Sequence, residues 1–215
     1  MNIETKLVQA SVKKDPTTGS LSTPIYQCAT FEHPGLGQST GFDYSRTANP
    51  TRKVLEEAIA SLEEGNAGFA FSSGMAAITA IFFLFKPGDH IVISDDLYGG
   101  TYRLLEETFK NYGITATYTN TCCLNDIQAA ITDHTAAIFI ETPTNPLMKI
   151  TDIEAVTKLA KEKGLLTIVD NTFLTPYFQK PLSLGADIVT HSSTKYLGGH
   201  NDTISGIVVV KDNEE

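Results

Sequence analysis

Short apolar runs alternating with amphipathic stretches of ten or so residues constrain this chain more than any other feature of its sequence. After Pro50, the residues Val54, Leu55, Ala58, Ile59 and Leu62 recur at helical spacing and stop at Gly65. Gly68-Phe69-Ala70-Phe71 reads as a strand, followed by a helix from Gly74 to Phe85. A turn at Pro87-Gly88-Asp89 leads to a strand over 90–94 and a helix over 101–112. Gly113 starts another strand, then 124–131 reads as helix, 136–141 as strand, 152–163 as helix and 165–169 as a buried strand. Two further strands are expected over 186–190 and 204–210. Strands joined by helices of this length require crossover connections, which means an α/β fold with a mainly parallel sheet. Ligands of such sheets bind beyond the carboxyl ends of the strands, so the residues after each strand matter most.

The first fifty residues are different. Pro16, Gly19, Pro24, Pro34, Gly35, Gly37, Gly41 and Pro50 punctuate them, and a connection that long is either functional or an arm reaching a neighbour. At 23.3 kDa the chain buries about 70% of its surface on folding, with roughly 10,000 Å² left exposed. That is ample for a core without disulfides or metals. A net charge of −9 with no long basic run argues against nucleic acid or an anionic membrane as partner. The most apolar stretch, Ala76 to Phe85, is half the length of a membrane span, and the N-terminus has no apolar signal core. Three cysteines, two of them adjacent and none in a C-x-x-C, suit a reducing cytoplasm better than a disulfide framework or a zinc site.

Four strand ends are chemically loaded. Ser72-Ser73-Gly74-Met75 opens a helix, where free backbone N–H groups favour a phosphate, though such turns also serve packing alone. Tyr98 beside Gly99 and Gly100 could stack on a flat ring or be an ordinary surface tyrosine. Asp170 ends a buried apolar strand, which is costly unless it meets a cation or donors; capping the next turn is the plainer reading. Lys195 follows a strand and is flanked by small hydroxyl residues and glycines. A lysine partly withdrawn from water can present the free amine that a Schiff base needs, while most lysines are solvated. Together, a phosphate cup, a stacking ring, a strand-end carboxylate and such a lysine are what pyridoxal phosphate requires.

Six ordered segments carry a resemblance across essentially the whole chain: Tyr44-Ser45-Arg46 running to Asn49-Pro50-Thr51, Ser73-Gly74-Met75-Ala76, Tyr98-Gly99-Gly100-Thr101, Glu141-Thr142-Pro143-Thr144-Asn145-Pro146, Val169-Asp170-Asn171-Thr172, and His191-Ser192-Ser193-Thr194-Lys195-Tyr196. With them the chain resembles the Cys/Met-metabolism pyridoxal-phosphate enzymes. The resemblance implies the large domain of a fold type I (aspartate aminotransferase-like) transferase, a mainly parallel sheet with helices on both faces. It implies pyridoxal 5′-phosphate held as a Schiff base by Lys195, which also shuttles protons. Asp170 would pair with the ring nitrogen, and Tyr98 would stack on the ring and help deprotonate the incoming amine. Gly74 and Met75 amides with the Ser192 and Thr194 hydroxyls would hold the phosphate. Asn145 would lie beside the cofactor 3′-oxygen.

Residues 1–50 would be an arm whose Tyr44 and Arg46 reach the phosphate in a neighbouring subunit, with 51–215 the cofactor domain. A homo-oligomer, a dimer of dimers in the family, is implied, acting on small amino-acid substrates. Within the family the chain looks most like cystathionine γ-synthase, which replaces the γ-ester of an O-acyl-homoserine by cysteine on the way to methionine; γ-lyase and β-lyase share the scaffold. Gly100 stands where methionine γ-lyases usually carry Cys. No counterpart of the family's small C-terminal domain, which supplies the arginine for the substrate carboxylate, follows here, so a truncated and catalytically inactive piece is the alternative of another class.

Other signals are set aside. Gly35-Leu36-Gly37 follows His33-Pro34 rather than a strand and fails as a dinucleotide loop. The five histidines have no metal-ligand spacing, Glu56-Glu57 and Glu63-Glu64 read as solvated helix faces, and Cys122-Cys123 receives no role.

Overall fold

The structure, a computed structural model, describes residues 1–10, 12 and 14–211. A short helix α1 (Ile3–Gln9) opens the chain, and α2 (Pro50–Glu63) follows a long irregular segment. Then come β1 (Ala67–Phe71), α3 (Gly74–Phe82), β2 (His90–Ser94), α4 (Gly99–Arg103), β3 (Thr115–Thr119), α5 (Leu124–Ala130) and β4 (Thr135–Glu141). The chain continues through α6 (Ile153–Lys163), β5 (Leu166–Asp170), the single turn α7 (Thr175–Phe178), β6 (Ile188–Ser192) and β7 (Gly206–Val210).

The seven strands form one sheet in the order β1-β7-β6-β5-β4-β2-β3. All neighbouring pairs are parallel except those of β7, which runs antiparallel to both β1 and β6. The mainly parallel sheet expected from the alternation is therefore present, with one reversed strand.

Strand residues alternate between two cores. Val92, Ile138, Ile140 and Val169 pack with α2, α5 and α6 residues such as Ile59, Ile127 and Val156. Ile91, Ile93, Phe139 and Ile168 pack on the other face with Ile78, Phe82 and Phe109. Because side chains of a strand point to opposite faces in turn, central strands buried on both sides read as continuous apolar runs. Helices on both faces follow.

Element ends obey local chemistry. The Asn49 side chain accepts from Thr51 N–H at 2.9 Å with Pro50 in the first turn of α2, and Asp152 accepts from Ala155 N–H at 3.0 Å at the start of α6. Helix α3 stops at Phe82, three residues short of expectation, as the chain tightens into i→i+3 turns ahead of Pro87. The expected helix over 101–112 is wound as three forms in succession: α4, a π turn (Leu104–Thr108) and a 3₁₀ turn (Phe109–Tyr112) that ends at Gly113 with φ +80°.

No described residue before Pro50 is buried. Val8, Leu21, Ile25 and Leu36 of this segment are exposed, and the whole chain shows 12,047 Å² to solvent, against the roughly 10,000 Å² of a compact globule this size. Among the described residues no helix is long and apolar enough to cross a membrane.

Candidate active site

Strands β2, β4, β5 and β6 are mutually parallel, so their carboxyl ends meet at one edge of the sheet. There they border a cavity of about 770 Å³, a size suited to a cofactor or small ligand. Gly74, Met75, Tyr98, Asn145, Asp170, Ser192, Thr194 and Lys195 all line it. Eight of the ten sequence-derived candidates, scattered over more than 120 positions, thus share one space.

Asp170 is the last residue of β5 and only 8% exposed. Its Oδ1 accepts from Thr172 N–H at 3.0 Å and Thr172 Oγ1 at 2.5 Å, leaving Oδ2 without a protein donor among the described residues. Burial pushes this carboxyl up from the ordinary aspartate range; the Thr172 bonds and His191 pull the other way. Thr172 Oγ1 also accepts from Ser192 N–H at 2.8 Å, tying the β5 end to the β6 end. A buried carboxylate with one open oxygen at the foot of a cavity is a seat for a cation carried by a ligand.

The β1–α3 turn forms the next wall. Ser73 Oγ accepts from Ala76 N–H at 3.0 Å and Ser73 O from Ala77 N–H at 3.1 Å. The Gly74 and Met75 amides precede any intrahelical acceptor, and both residues line the cavity at the positive end of α3. A Cβ at Gly74 would come within 2.8 Å of Ser192 Cβ, so only glycine lets this amide pair close on the β6 end. The Thr194 hydroxyl is already engaged, donating to Ser205 O at 3.2 Å and accepting from Ser205 N–H at 3.1 Å. In this structure its proton points to that carbonyl rather than to an anion in the cavity.

Lys195 stands in the turn beyond β6, held through its backbone by Ser192 O and Gly199 N–H. It is exposed to the open cavity, contrary to the desolvated lysine expected from its flanking residues, because the turn carries it past the strand end onto the rim. Tyr98, 48% exposed, caps α4, with its ring over Gly100: a Cβ there would lie 2.4 Å from Tyr98 Cε1 and 2.9 Å from Met75 Sδ. Tyr44 and Arg46 lie outside the cavity, with the Arg46 guanidinium 5.0 Å from the Tyr44 ring centroid. Arg52 donates to the Ser45 and Thr47 carbonyls and fixes this turn with its side chains outward.

Of the cavity residues to which the sequence assigns no role, two bear on its chemistry. Thr172 is one. The other is Glu141, which ends β4 as Asp170 ends β5; an acidic residue closing a buried apolar strand was the same signal in both places. Behind the cavity, Glu63 corrects the solvated-face expectation outright. It and His191 are both 0% exposed and paired, Oε1 to Nε2, at 2.6 Å. Asn171 Nδ2 adds a bond of 2.9 Å to the same oxygen.

A family model described as Cys/Met metabolism PLP-dependent enzyme matches residues 4–215. The chain belongs to this family. It is 57% identical over 211 residues to a cystathionine gamma-synthase/O-acetylhomoserine (thiol)-lyase of Bacillus subtilis (strain 168), covering 98% of this chain and 57% of that protein. It is 54% identical to a cystathionine gamma-lyase of the same organism, covering 100% and 56%. Among solved structures, cystathionine gamma-lyase from Lactobacillus plantarum complexed with L-serine superposes with a TM-score of 0.95 at 53% identity, covering 99% of this chain and 55% of that one. The chain spans just over half the length of these relatives. The fold type I α/β domain expected from the resemblance is thereby established, and pyridoxal 5′-phosphate is the cofactor of the family. The residues present suit it: an open amide pair for its phosphate, an unshared carboxylate oxygen for its ring nitrogen, and an amine on the rim for its aldehyde.

Proposed function

We propose that residues 51–215 form the cofactor-binding domain of a pyridoxal-phosphate transsulfuration enzyme, most like cystathionine γ-synthase, which joins an O-acyl-homoserine to cysteine. The observation that carries this reading is the open Oδ2 of buried Asp170 in a cavity shared with Lys195 and the α3 amides.

When bound, pyridoxal 5′-phosphate supplies an electron sink for charge developing on the amino-acid carbons. Lys195 Nζ would bond the cofactor aldehyde and, once released, take and return protons at substrate Cα and Cβ. Asp170 Oδ2 would hold the proton on the ring nitrogen, its orientation fixed by Thr172. The Gly74 and Met75 amides and Ser192 would hold the phosphate, Thr194 joining only if its hydroxyl turns from Ser205. Tyr98 would cover the ring, and Asn145 would orient the 3′-oxygen.

Residues 1–50 are proposed as an arm onto a neighbouring subunit, with Arg46 gripping that subunit's phosphate through its planar fork. The lack of any buried described residue before Pro50, with Tyr44 and Arg46 exposed and outside the lining of their own cavity, supports this reading. A homo-oligomer and a cytoplasmic setting belong to the same proposal.

Cystathionine γ-lyase is the second reading, favoured by the 54% and 53% identities to enzymes of that name. Comparing turnover of O-acyl-homoserine plus cysteine with turnover of cystathionine separates the two. Faster cystathionine cleavage than synthesis overturns the synthase assignment.

A further inference from the structure

Glu141 is the one acidic cavity residue that the reading above leaves without a task. It is 7% exposed, and both its oxygens are taken by backbone amides: Oε2 by Tyr98 N–H and Oε1 by Asn145 N–H, each at 2.8 Å. These amides belong to different walls. Tyr98 caps α4, beyond the end of β2, whereas Asn145 lies in the turn after β4. One planar carboxylate bonded at both oxygens therefore sets the separation between the ring-covering wall and the Asn145 wall. We propose that Glu141 is a positioning residue that clamps these two walls at the spacing the cofactor ring requires. The inference rests on reading this cavity as the pyridoxal-phosphate site.

The clamp is strained electrostatically. Asp170 faces Glu141 from its register position on β5, and Asp96 approaches from the loop after β2, where Thr144 Oγ1 and Leu147 N–H hold it. Lys195, Tyr196 and His200 line the same cavity from the turn after β6, and Tyr98 lines it beside α4. Burial first, then the charge of Asp170, pushes the Glu141 carboxyl up to about 7, against the pull of its two amide bonds. A protonated carboxyl carries its O–H on one oxygen and accepts more weakly there, so protonation loosens one of the two walls. The clamp is whole above neutrality and half-open below it. A cation seated against Asp170 would relieve the repulsion and hold Glu141 charged.

Two measurements test this. Pyridoxal 5′-phosphate is titrated into purified wild type and Glu141→Gln, following the absorbance of the lysine-bound cofactor. Separately, ¹H–¹⁵N spectra of the ligand-free wild type follow the Tyr98 and Asn145 amides from acid to alkaline pH. The inference predicts at least about tenfold weaker binding for the Gln variant, in line with losing one bond to a charged acceptor. It also predicts that both amides titrate together near neutrality in wild type. Unchanged affinity in a folded Glu141→Gln variant, with wild type binding normally, overturns the clamp and leaves the site reading standing. Two amides that do not co-titrate overturn it even if the variant fails to fold. Wild type that binds no cofactor overturns the site reading and this inference with it.

Discussion

Glu63 and Glu64 are neighbours in sequence at the end of α2, and replacing each by alanine should have very different consequences. Glu63 is 0% exposed, paired with His191 at 2.6 Å, and accepts from Asn171 at 2.9 Å. Its Oε2 and the His191 Nδ1 have no partners among the described residues, so the cluster has no spare bonds to redistribute. Removing the carboxylate leaves the imidazole and an amide donor buried and unpaired. Each buried polar group left unsatisfied costs about 1–3 kcal/mol, so the two together cost about 2–6 kcal/mol. For a chain of this length that lowers the melting temperature by roughly 4–24 °C. Glu64 is exposed; Lys180 bonds its Oε1, and Ser183 Oγ bonds Oε2 at 2.8 Å. Exposed pairs contribute at most about 1 kcal/mol. Chemical denaturation of the two variants beside wild type measures both values. Equal, small losses for Glu63→Ala and Glu64→Ala would refute the buried-pair reasoning and return both residues to a solvated face.

Other consequences are equally open to measurement. Lys195→Ala should abolish turnover and covalent cofactor attachment while shifting stability by less than about 0.5 kcal/mol, since the side chain is exposed; a large drop in melting temperature would contradict this. Glu141 titrates near 7 when folded and near 4.5 when unfolded, so the folded state binds the extra proton between those values. Stability is therefore free of its penalty below about 4.5 and falls as pH rises through 7, by roughly 3 kcal/mol in all for the ligand-free chain. The stability difference between wild type and Glu141→Gln should shift by about 2–3 kcal/mol from pH 5 to pH 8, and a constant difference would contradict the cause given. If the proposed arm reaches a neighbouring subunit, Arg46→Ala should weaken cofactor affinity about tenfold, as loss of a charged hydrogen bond does; unchanged affinity removes Arg46 from the phosphate.

Much of this architecture is written in local pattern. The strand His90–Ser94 falls where the apolar run between Asp89 and Asp95 places it, because punctuating residues sit on both sides. The direction of β7 is not so written. A strand buried on both faces shows the same Val-Val-Val run whichever way it lies, and only the path of residues 193–205 turns it back against β6. Glu63 was hidden for a similar reason: its partner His191 is 128 positions away, and an acidic pair on a helix looks solvated until that partner arrives. The cavity residues were legible because strand ends in a parallel sheet must converge. Asp170 and Lys195 could thus be named together, while the exposure of Lys195 depended on how far the following turn projects.

The central claim is that Lys195 and Asp170 serve one bound pyridine ring from within the same cavity. Incubation with pyridoxal 5′-phosphate, borohydride reduction and peptide mapping by mass spectrometry test it most directly. A single modified peptide with the adduct on Lys195 is expected, with loss of that adduct when Asp170→Ala removes the ring-nitrogen partner. An adduct on another lysine, or equal labelling in the Asp170→Ala variant, would contradict it.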